Sequence, residues 1–476
     1  MVTADNLNLD VLELIFAFIS GNDLVAVSSV SKSFLAGVIP CLYATVSFTA
    51  KHAKRYRPGG GTISPFLTLR NHPDLAVHVR HVNIHCAPFI AVGQVHPNFL
   101  SETADALQIC KNLLSFVCGP RILPALLGSL QGKERLQDVH IYAAFTTTQG
   151  EMLQKMTTLR SLTLDYPTWN VIDSLTRWAH SLQRTLAHLT IFMSQEVNGV
   201  FLEALLPLLP RLRGLHVVGC SKAPHTAVIK ATTTHTPSLK ALSFTIFENT
   251  PPSNLFCLPT ITLPNLRHLA IDVRPTSDAT AAIMPSLFNS LTSLSTLLLK
   301  FADRQLPIWS SVIDGIAPPN AVTMPLKRLA LMDCSVSIDT VRKLSSRCKD
   351  LEMLEIPLPI KDIQAFTTAI SSLKELHTLT DVGDAHASHG PRASLTRNDA
   401  RFMMESCVSL KTIVSDGRMW TVSSRILLWP HPVPSRIELT ILQGRPDFFL
   451  GVTVTPQRYK ANTTQHWFSP LKTDSS

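Results

Sequence analysis

The side chains best suited to chemistry in this chain are histidines in two groups. His78, His81 and His85 stand close together, with His81 and His85 on one face of a strand, and His386 and His389 share a polar loop with Asp381 and Asp384. Both sets have ligand types that suit zinc, which also needs outer partners to orient the first ligands. The sequence supplies no such partners, and exposed strand or loop residues account for both groups, so no metal is expected. Gly128-Ser-Leu-Gln-Gly132-Lys133 imitates a phosphate loop. It is one residue short between the glycines and lacks the following Ser or Thr, so its amides cannot form the cradle. Gly-x-Ser-x-Gly and His-Glu-x-x-His are both absent. Without a convergent nucleophile, base and oxyanion donors, the chain is expected to be non-catalytic and to carry no cofactor.

Composition sets the broad class. The 476 residues are 45% hydrophobic and 16% charged, against roughly 25% charged in an average soluble protein. That excludes a disordered chain, which could not bury enough apolar surface to offset its ordering entropy. No apolar run reaches the length of about 18 residues that a membrane-spanning helix requires, so a membrane is not an expected partner. Asp5, Asp10 and Glu13 with no basic leader argue against a secretory or mitochondrial address, leaving a cytoplasmic and/or nuclear location. Nine cysteines without a Cys-x-x-Cys pair read as reduced, mostly buried thiols. The net charge of +9 is spread along the chain, except for Lys51, Lys54, Arg55 and Arg57. A nucleic-acid footprint needs concentration on one face, so nucleic acid is not expected either.

The length exceeds what one core serves, which implies several domains or growth by repetition. Repetition is visible. Leu-x-x-Leu-x-Leu, or a near variant, begins at Leu159, Leu186, Leu212, Leu239, Leu266, Leu294, Leu326 and Leu351, at intervals of 27, 26, 27, 27, 28, 32 and 25 residues. Weaker copies start at Val79, Leu113, Leu136, Leu373 and Leu410. This phrase at this period is the leucine-rich-repeat signature. The Leu-x-Leu portion predicts a short strand with one buried face, and helical spacing at Val171–Leu182 and Ile338–Leu344 predicts a helix between strands. The result is an α/β solenoid of irregular leucine-rich repeats over residues 71–414. Cys220 and Cys334, in the ninth position of their repeats, are expected beneath the strand turn.

Two features of the array bear on binding. The residue after the first Leu is basic at Arg160, Arg213, Lys240, Arg267, Lys327, Lys374 and Lys411, with Arg80 in the analogous place. Stacked, these would form a rim that attracts acidic or phosphorylated segments, or simply a solvated edge tolerant of long side chains. Between the second and third apolar residues stand Thr163, Thr190, His216, Ser243, Ala270, Leu298, Ala330 and Glu355. Such a small, near-neutral surface suits a protein or peptide ligand better than a nucleic-acid backbone.

Residues 1–48 are predicted to form a small all-α module. Leu12, Ile15, Phe16 and Ile19 lie on one helical face, yet Val11, Leu14 and Phe18 make a second apolar stripe. Asn8 is the expected N-cap, Gly21 the break, Asn22 or Asp23 the next cap, and Pro40 the stop of a third helix. Helices apolar nearly all round must be covered on both sides, by the rest of the chain or by a partner. Residues 49–70, basic and Gly-rich, read as a linker, and residues 415–476 as a tail in which stretches such as Arg436–Leu442 suggest capping strands.

The stretch carrying Leu7, Val11, Leu12, Ile15, Phe16, Ile19, Asp23, Leu24, Val27, Val30, Ser31, Lys32 and Phe34 resembles an F-box. It has Asn8 and Asp10 where that pattern usually has Pro and Glu. With the array behind it, the chain resembles F-box/leucine-rich-repeat proteins of fungal type. That resemblance implies a non-catalytic substrate-recognition subunit of an SCF-type cullin–RING ubiquitin ligase. The F-box would dock the ligase adaptor through Leu7, Leu9, Leu12, Ile15, Phe16 and Leu24, some of which could instead pack inside the box. The repeats would hold an unidentified protein substrate, with Arg160, Arg213, Lys240, Arg267 and Lys327 along the groove rim. The alternative is a protein-binding scaffold of the same fold, with its N-terminal helices merely capping the array.

Overall fold

A computed structural model describes residues 8–19, 21–56, 64–247, 263–274, 287–288, 291–302, 308, 310–316, 325–383, 394–425 and 452–458. Leu7, Arg57, Asp384, His386, His389 and the stretch 436–442 lie outside them. The chain divides into two compact units, Met1–Thr236 and Pro237–Ser476, and the division falls inside the predicted array.

The first unit begins with α1 (Leu9–Phe16), α2 (Asn22–Ser28) and α3 (Lys32–Tyr43). Asn8 caps α1, its Oδ1 accepting from the Asp10 N–H at 3.4 Å. Gly21, at φ 63°, caps α2, where a side-chain cap was expected. Its backbone needs the left-handed region that glycine enters freely. Ser31 caps α3 by accepting from the Phe34 N–H at 3.2 Å. Pro40 does not stop α3, which runs on to Tyr43. A proline deprives only the carbonyl four residues back, Ala36, of its donor, and tertiary packing of the turn carries the helix through. Leu12, Phe16, Leu24 and Val38 form the centre of this bundle, with Ile19, Val27, Phe34, Cys41 and Leu42 packed around them.

From α3 the chain enters a parallel ladder, as the Leu-x-Leu phrase predicts. Strand β1 (Thr45–Phe48) pairs with β2 (His81–Ile84), so the ladder starts inside residues assigned to the helical module. After the β3–β4 hairpin (Phe89–Ala91 and Gln94–Val95) come β5 (Ser115–Cys118), β6 (Asp138–Tyr142), β7 (Ser161–Asp165), β8 (His188–Phe192) and β9 (Gly214–Val218). Strands β2, β5, β6, β7, β8 and β9 pair in order, all parallel. Helices between strands include Trp169–Leu182, close to the predicted span. Its Trp178 is fully buried and donates from Nε1 to the Met156 carbonyl at 3.0 Å.

The expected linker is mostly structure. Helices α4 (Ala50–Arg55) and α5 (Pro65–Asn71) pack on β1 through aromatic rings gathered from four segments. Phe48 lies 4.6 Å from Phe99, 6.0 Å from Phe66 and 6.4 Å from Tyr56 between centroids. Tyr56 donates to Glu102 Oε1 at 3.2 Å; burial, then the Glu102 charge, push its phenol up to about 12. No periodic signal marks such a cluster, because its members come together only in the fold.

The second unit continues the pattern with β10 (Ala241–Ile246), β11 (His268–Val273), β12 (Thr296–Phe301), β13 (Arg328–Met332), β14 (Met353–Ile356), β15 (Thr378–Asp381) and β16 (Thr412–Ser415), all parallel. The antiparallel β17 (Arg418–Arg425) and β18 (Val452–Arg458) end the ladder. Asp416 and Gly417 form the two-residue turn before β17, both with positive φ, 48° and 69°. Asp-Gly is a strong hairpin dipeptide, and this turn was readable in the sequence.

Candidate functional site

The bundle sorts the two apolar stripes of its first helix. Leu12 and Phe16, only 1% and 3% exposed, point inward, and Leu24 is buried with them. These three are therefore corrected from adaptor contacts to core residues. Gly37 on α3 lets this stripe approach closely, since a Cβ there would lie 2.9 Å from Leu12 Cβ and 3.0 Å from Phe16 Cε2. The rest of α1 stays in solvent: Leu9, Val11 and Leu14 are exposed, as is Ile15, expected on the inward face, and Phe18, just beyond the helix, is 92% exposed. Val25 on α2, Leu35 on α3 and Val30 in the turn between them add exposed apolar surface. Monomeric proteins seldom leave so many large apolar side chains grouped on one small module.

The basic rim is real as a backbone column but broken as a charged one. In the first unit, amide-to-carbonyl bonds run through Arg80, Leu114, Gln137, Arg160, Ala187 and Arg213. Arg160 and Arg213 are thus two strands apart, about 10 Å. In the second unit the column is Lys240, Arg267, Ser295, Lys327, Glu352, His377 and Lys411. Lys327 gives its charge to Glu352 at 2.8 Å. Lys374 lies off the column, because the repeat phrase here starts at Leu376 and His377 holds the position. Lys374, Arg160, Arg213, Lys240, Arg267 and Lys327 are all exposed, as a solvated edge requires.

The strand positions expected to line an open surface are mostly closed to solvent. Thr190, His216, Ser243, Ala270, Leu298, Ala330 and Glu355 are buried, and only Thr163 is partly exposed. Glu355 is held in a pair with Arg328 at 2.6 Å. The sheet face remains accessible in the earlier strands of the first unit, at Asn83, Val117, His140 and Tyr142.

That accessible region ends in an aromatic row the sequence reading missed. The Tyr142 and Tyr166 rings stack at 5.5 Å and 25°, and Phe192 meets Tyr166 edge-on at 5.9 Å. The Arg121 guanidinium lies 4.6 Å from the centre of the Tyr142 ring. Beside the row, His140 Nε2 and Asp165 Oδ2 are 2.7 Å apart. Tyr166 and Met193 occupy the left-handed region, at φ 50° and 56°. Both lie two residues beyond the last apolar position of their phrases, where each repeat turns sharply out of its strand. Tyr and Arg are the residues that most often anchor protein interfaces. The signal was present: an aromatic recurs at the phrase end at 142, 166 and 192, close to the repeat period. A second exposed feature is the β3–β4 hairpin, which holds Phe89, Ile90 and Val92 in solvent.

Among the groups weighed for chemistry, Asp381, Lys133, Cys220 and Cys334 have structural roles. Among the described residues, no group of three or more His, Cys, Asp or Glu is arranged to hold a metal ion. Asp381 accepts from the Leu358 and Gly383 amides at 3.1 and 3.0 Å and from Ser415 Oγ at 2.9 Å, which ties adjacent turns together. Lys133, at the end of the false phosphate loop, donates to the Gln108 carbonyl at 3.0 Å. Cys220 and Cys334 are buried, and burial pushes both thiols up to about 12, far from a reactive thiolate. Among the described residues, no helix is long and apolar enough to cross a membrane.

No protein-family profile and no curated protein sequence matches the chain. Among solved structures it is similar to one of a Rad7 and Elc1 complex from yeast, at 17% identity over 73% of this chain and 88% of that one, with a TM-score of 0.44. The leucine-rich-repeat-containing protein LegL7 of Legionella pneumophila gives 10% identity over 59% of this chain and 88% of its own, with a TM-score of 0.36. A leucine-rich-repeat protein of Leptospira interrogans gives 12% over 73% and 97%, with a TM-score of 0.24. The repeat phrase and the parallel ladder carry the leucine-rich-repeat architecture of this chain by themselves.

Proposed function

We propose that this protein is a non-catalytic substrate-recognition subunit of an SCF-type cullin–RING ubiquitin ligase. The observation that carries the reading is the outer face of α1–α3: a three-helix bundle with a satisfied core still presents Leu9, Leu14, Ile15 and Phe18 to solvent. The F-box resemblance supplies the occupant, the ligase adaptor, and the contact set becomes Leu9 and Ile15 with Leu14 and Phe18. The repeats then hold a target protein. Such a subunit breaks no bonds; it raises the concentration of target beside the ubiquitin-charged enzyme, in the cytoplasm, the nucleus or both. Co-purification of the full chain with the adaptor tests this, with Ile15→Asp and Phe18→Asp as the disabling pair. Loss of adaptor with an unchanged melting curve supports the reading. A wild-type chain that fails to retain adaptor where other F-box proteins do so defeats it.

A second reading, a protein-binding scaffold without a ligase, is favoured by the Arg121–Tyr142–Tyr166–Phe192 row, because that surface would serve a partner whatever α1–α3 do. In that case Ile15→Asp and Phe18→Asp leave every interaction of the repeats intact.

A further inference from the structure

A cavity of about 500 Å³ opens where the helical bundle meets the ladder. It is lined by Tyr43 at the end of α3, Ser47 of β1, Lys51, His52 and Arg55 of α4, and Pro65 and Thr68 of α5. Among the described residues of that lining, every ionisable group is basic, histidine or phenol, and none is a carboxylate. Among the described residues neither Lys51 nor Arg55 has an acidic partner, whereas the nearby Arg70 is paired with Asp105 at 3.6 Å. His52 is fixed from behind. The Thr49 N–H donates to its Nδ1 at 3.1 Å, and the ring lies 5.6 Å from Phe48. With Nδ1 accepting, a neutral imidazole carries its proton on Nε2 and remains a donor. Thr68 gives its hydroxyl to the Ser64 carbonyl at 3.3 Å and, with Pro65, forms a wall.

We propose that this cavity is a binding site for a phosphate monoester. Lys51 and Arg55, two cations with no acidic partner among the described residues, match the charge of about −1.5 to −2 on one such group. Arg55 offers a planar fork for two phosphate oxygens, Lys51 a compact charge, and Tyr43, Ser47 and His52 further hydrogen-bond donors. A nucleic-acid track would instead need a stripe of cations meeting successive phosphates. Here the only other cation described on α4, Lys54, is outside the lining. The site is built before any ligand arrives, because the Phe48–Phe66–Phe99–Tyr56 cluster holds α4 and α5 against β1. This proposal stands whether or not α1–α3 bind an adaptor. The ester could come from a phosphorylated side chain of a polypeptide or from a small phosphorylated metabolite, and the chemistry of the cavity is common to both.

Titration calorimetry on the full chain separates these cases, with a phosphoserine peptide flanked by Gly and Ala, free O-phosphoserine, inorganic phosphate, sulfate and a short single-stranded oligonucleotide as probes. The expected result is one site for the phosphoserine probes, weakened roughly ten- to hundredfold by Arg55→Ala and by Lys51→Ala and unchanged by Lys54→Ala. All three positions are exposed, so these variants fold. Tighter binding of the peptide than of free phosphoserine supports the site and assigns it to a phosphorylated polypeptide; equal binding supports it and assigns it to a metabolite. Absence of phosphoserine binding, equal loss in Lys54→Ala, no discrimination from sulfate, or tightest binding of the oligonucleotide with a steep salt dependence each overturns the proposal.

Discussion

Gly37 of α3 lies directly against Leu12 of α1, so that a Cβ on residue 37 would stand 2.9 Å from Leu12 Cβ. The contact is backbone against the root of a side chain, and neither can swing aside. Alanine normally improves a helix interior over glycine by about 1 kcal/mol. Here overpacking of about 1–3 kcal/mol outweighs that gain, and valine is worse. Gly37→Ala is therefore expected to lower the stability of the bundle and Gly37→Val to lower it further, read as faster amide exchange in α1 and α3. Slower exchange in Gly37→Ala would show that the helices separate at no cost.

The two stripes of α1 should respond oppositely to truncation. Leu12→Ala removes a buried side chain from the bundle centre and should cost about 2–5 kcal/mol, opening the module to proteolysis. Leu14→Ala and Phe18→Ala remove side chains that touch mostly water, so stability should stay within about 0.5 kcal/mol of wild type. Only the second pair should weaken adaptor capture at constant fold. If Leu14→Ala and Phe18→Ala unfold the module, that stripe is covered by this chain and is not a docking face.

The contrast between these stripes shows where sequence reading stops. Leu159, Leu162 and Leu164 repeat at fixed spacing and are all buried, because each strand presents the same face to the same layer. Periodicity is a local property, and it located the array and its helices. The choice between Leu12/Phe16 and Leu14/Phe18 is not local, since both stripes are apolar and the residues that pack on the buried one, Leu24, Gly37 and Val38, come from the next two helices. Lys374 was misplaced because Leu373 and Leu376 are both followed by an apolar residue three positions on, and only the register of β15 tells which starts the phrase. The cavity at α4 draws on four segments between residues 43 and 68, and its basic cluster alone fitted a linker.

Acid should destabilise the first unit through His225. Burial pushes this imidazole down to about 4, so the folded chain keeps it neutral while the unfolded chain protonates it below about 6.5. Between those values the unfolded state binds more protons, and stability falls as the pH is lowered, by about 3 kcal/mol in full. His188 of the same unit is lowered in the same direction, chiefly by burial and then by Arg213, and His268 of the second unit by burial and then by Arg267 and Arg328. His225→Gln should flatten the loss of melting temperature between about pH 7 and pH 5, although the variant itself starts lower. An unchanged pH slope in that variant would assign the acid sensitivity to other groups.

Tyr166 offers a separation of stability from recognition. Its φ of 50° costs a residue with a Cβ about 1–2 kcal/mol, which glycine does not incur. Its ring returns about 0.5–1.5 kcal/mol by stacking on Tyr142 and meeting Phe192. Tyr166→Gly relieves the backbone but also gives up the ring's partly buried area and frees the unfolded chain, so the fold should persist with a modestly lower melting temperature. An interface anchored on this row, however, loses its central ring, and removal of such an anchor typically costs at least about 2 kcal/mol, more than tenfold in affinity. Once a target of the repeats has been identified by capture on the wild-type chain, its dissociation constant should rise by that factor for Tyr166→Gly. It should stay unchanged for Trp169→Ala if Trp169, exposed but outside the row, makes no contact. Equal affinity of wild type and Tyr166→Gly would move the recognition surface away from the Tyr142–Phe192 row, with the β3–β4 hairpin the next surface to vary.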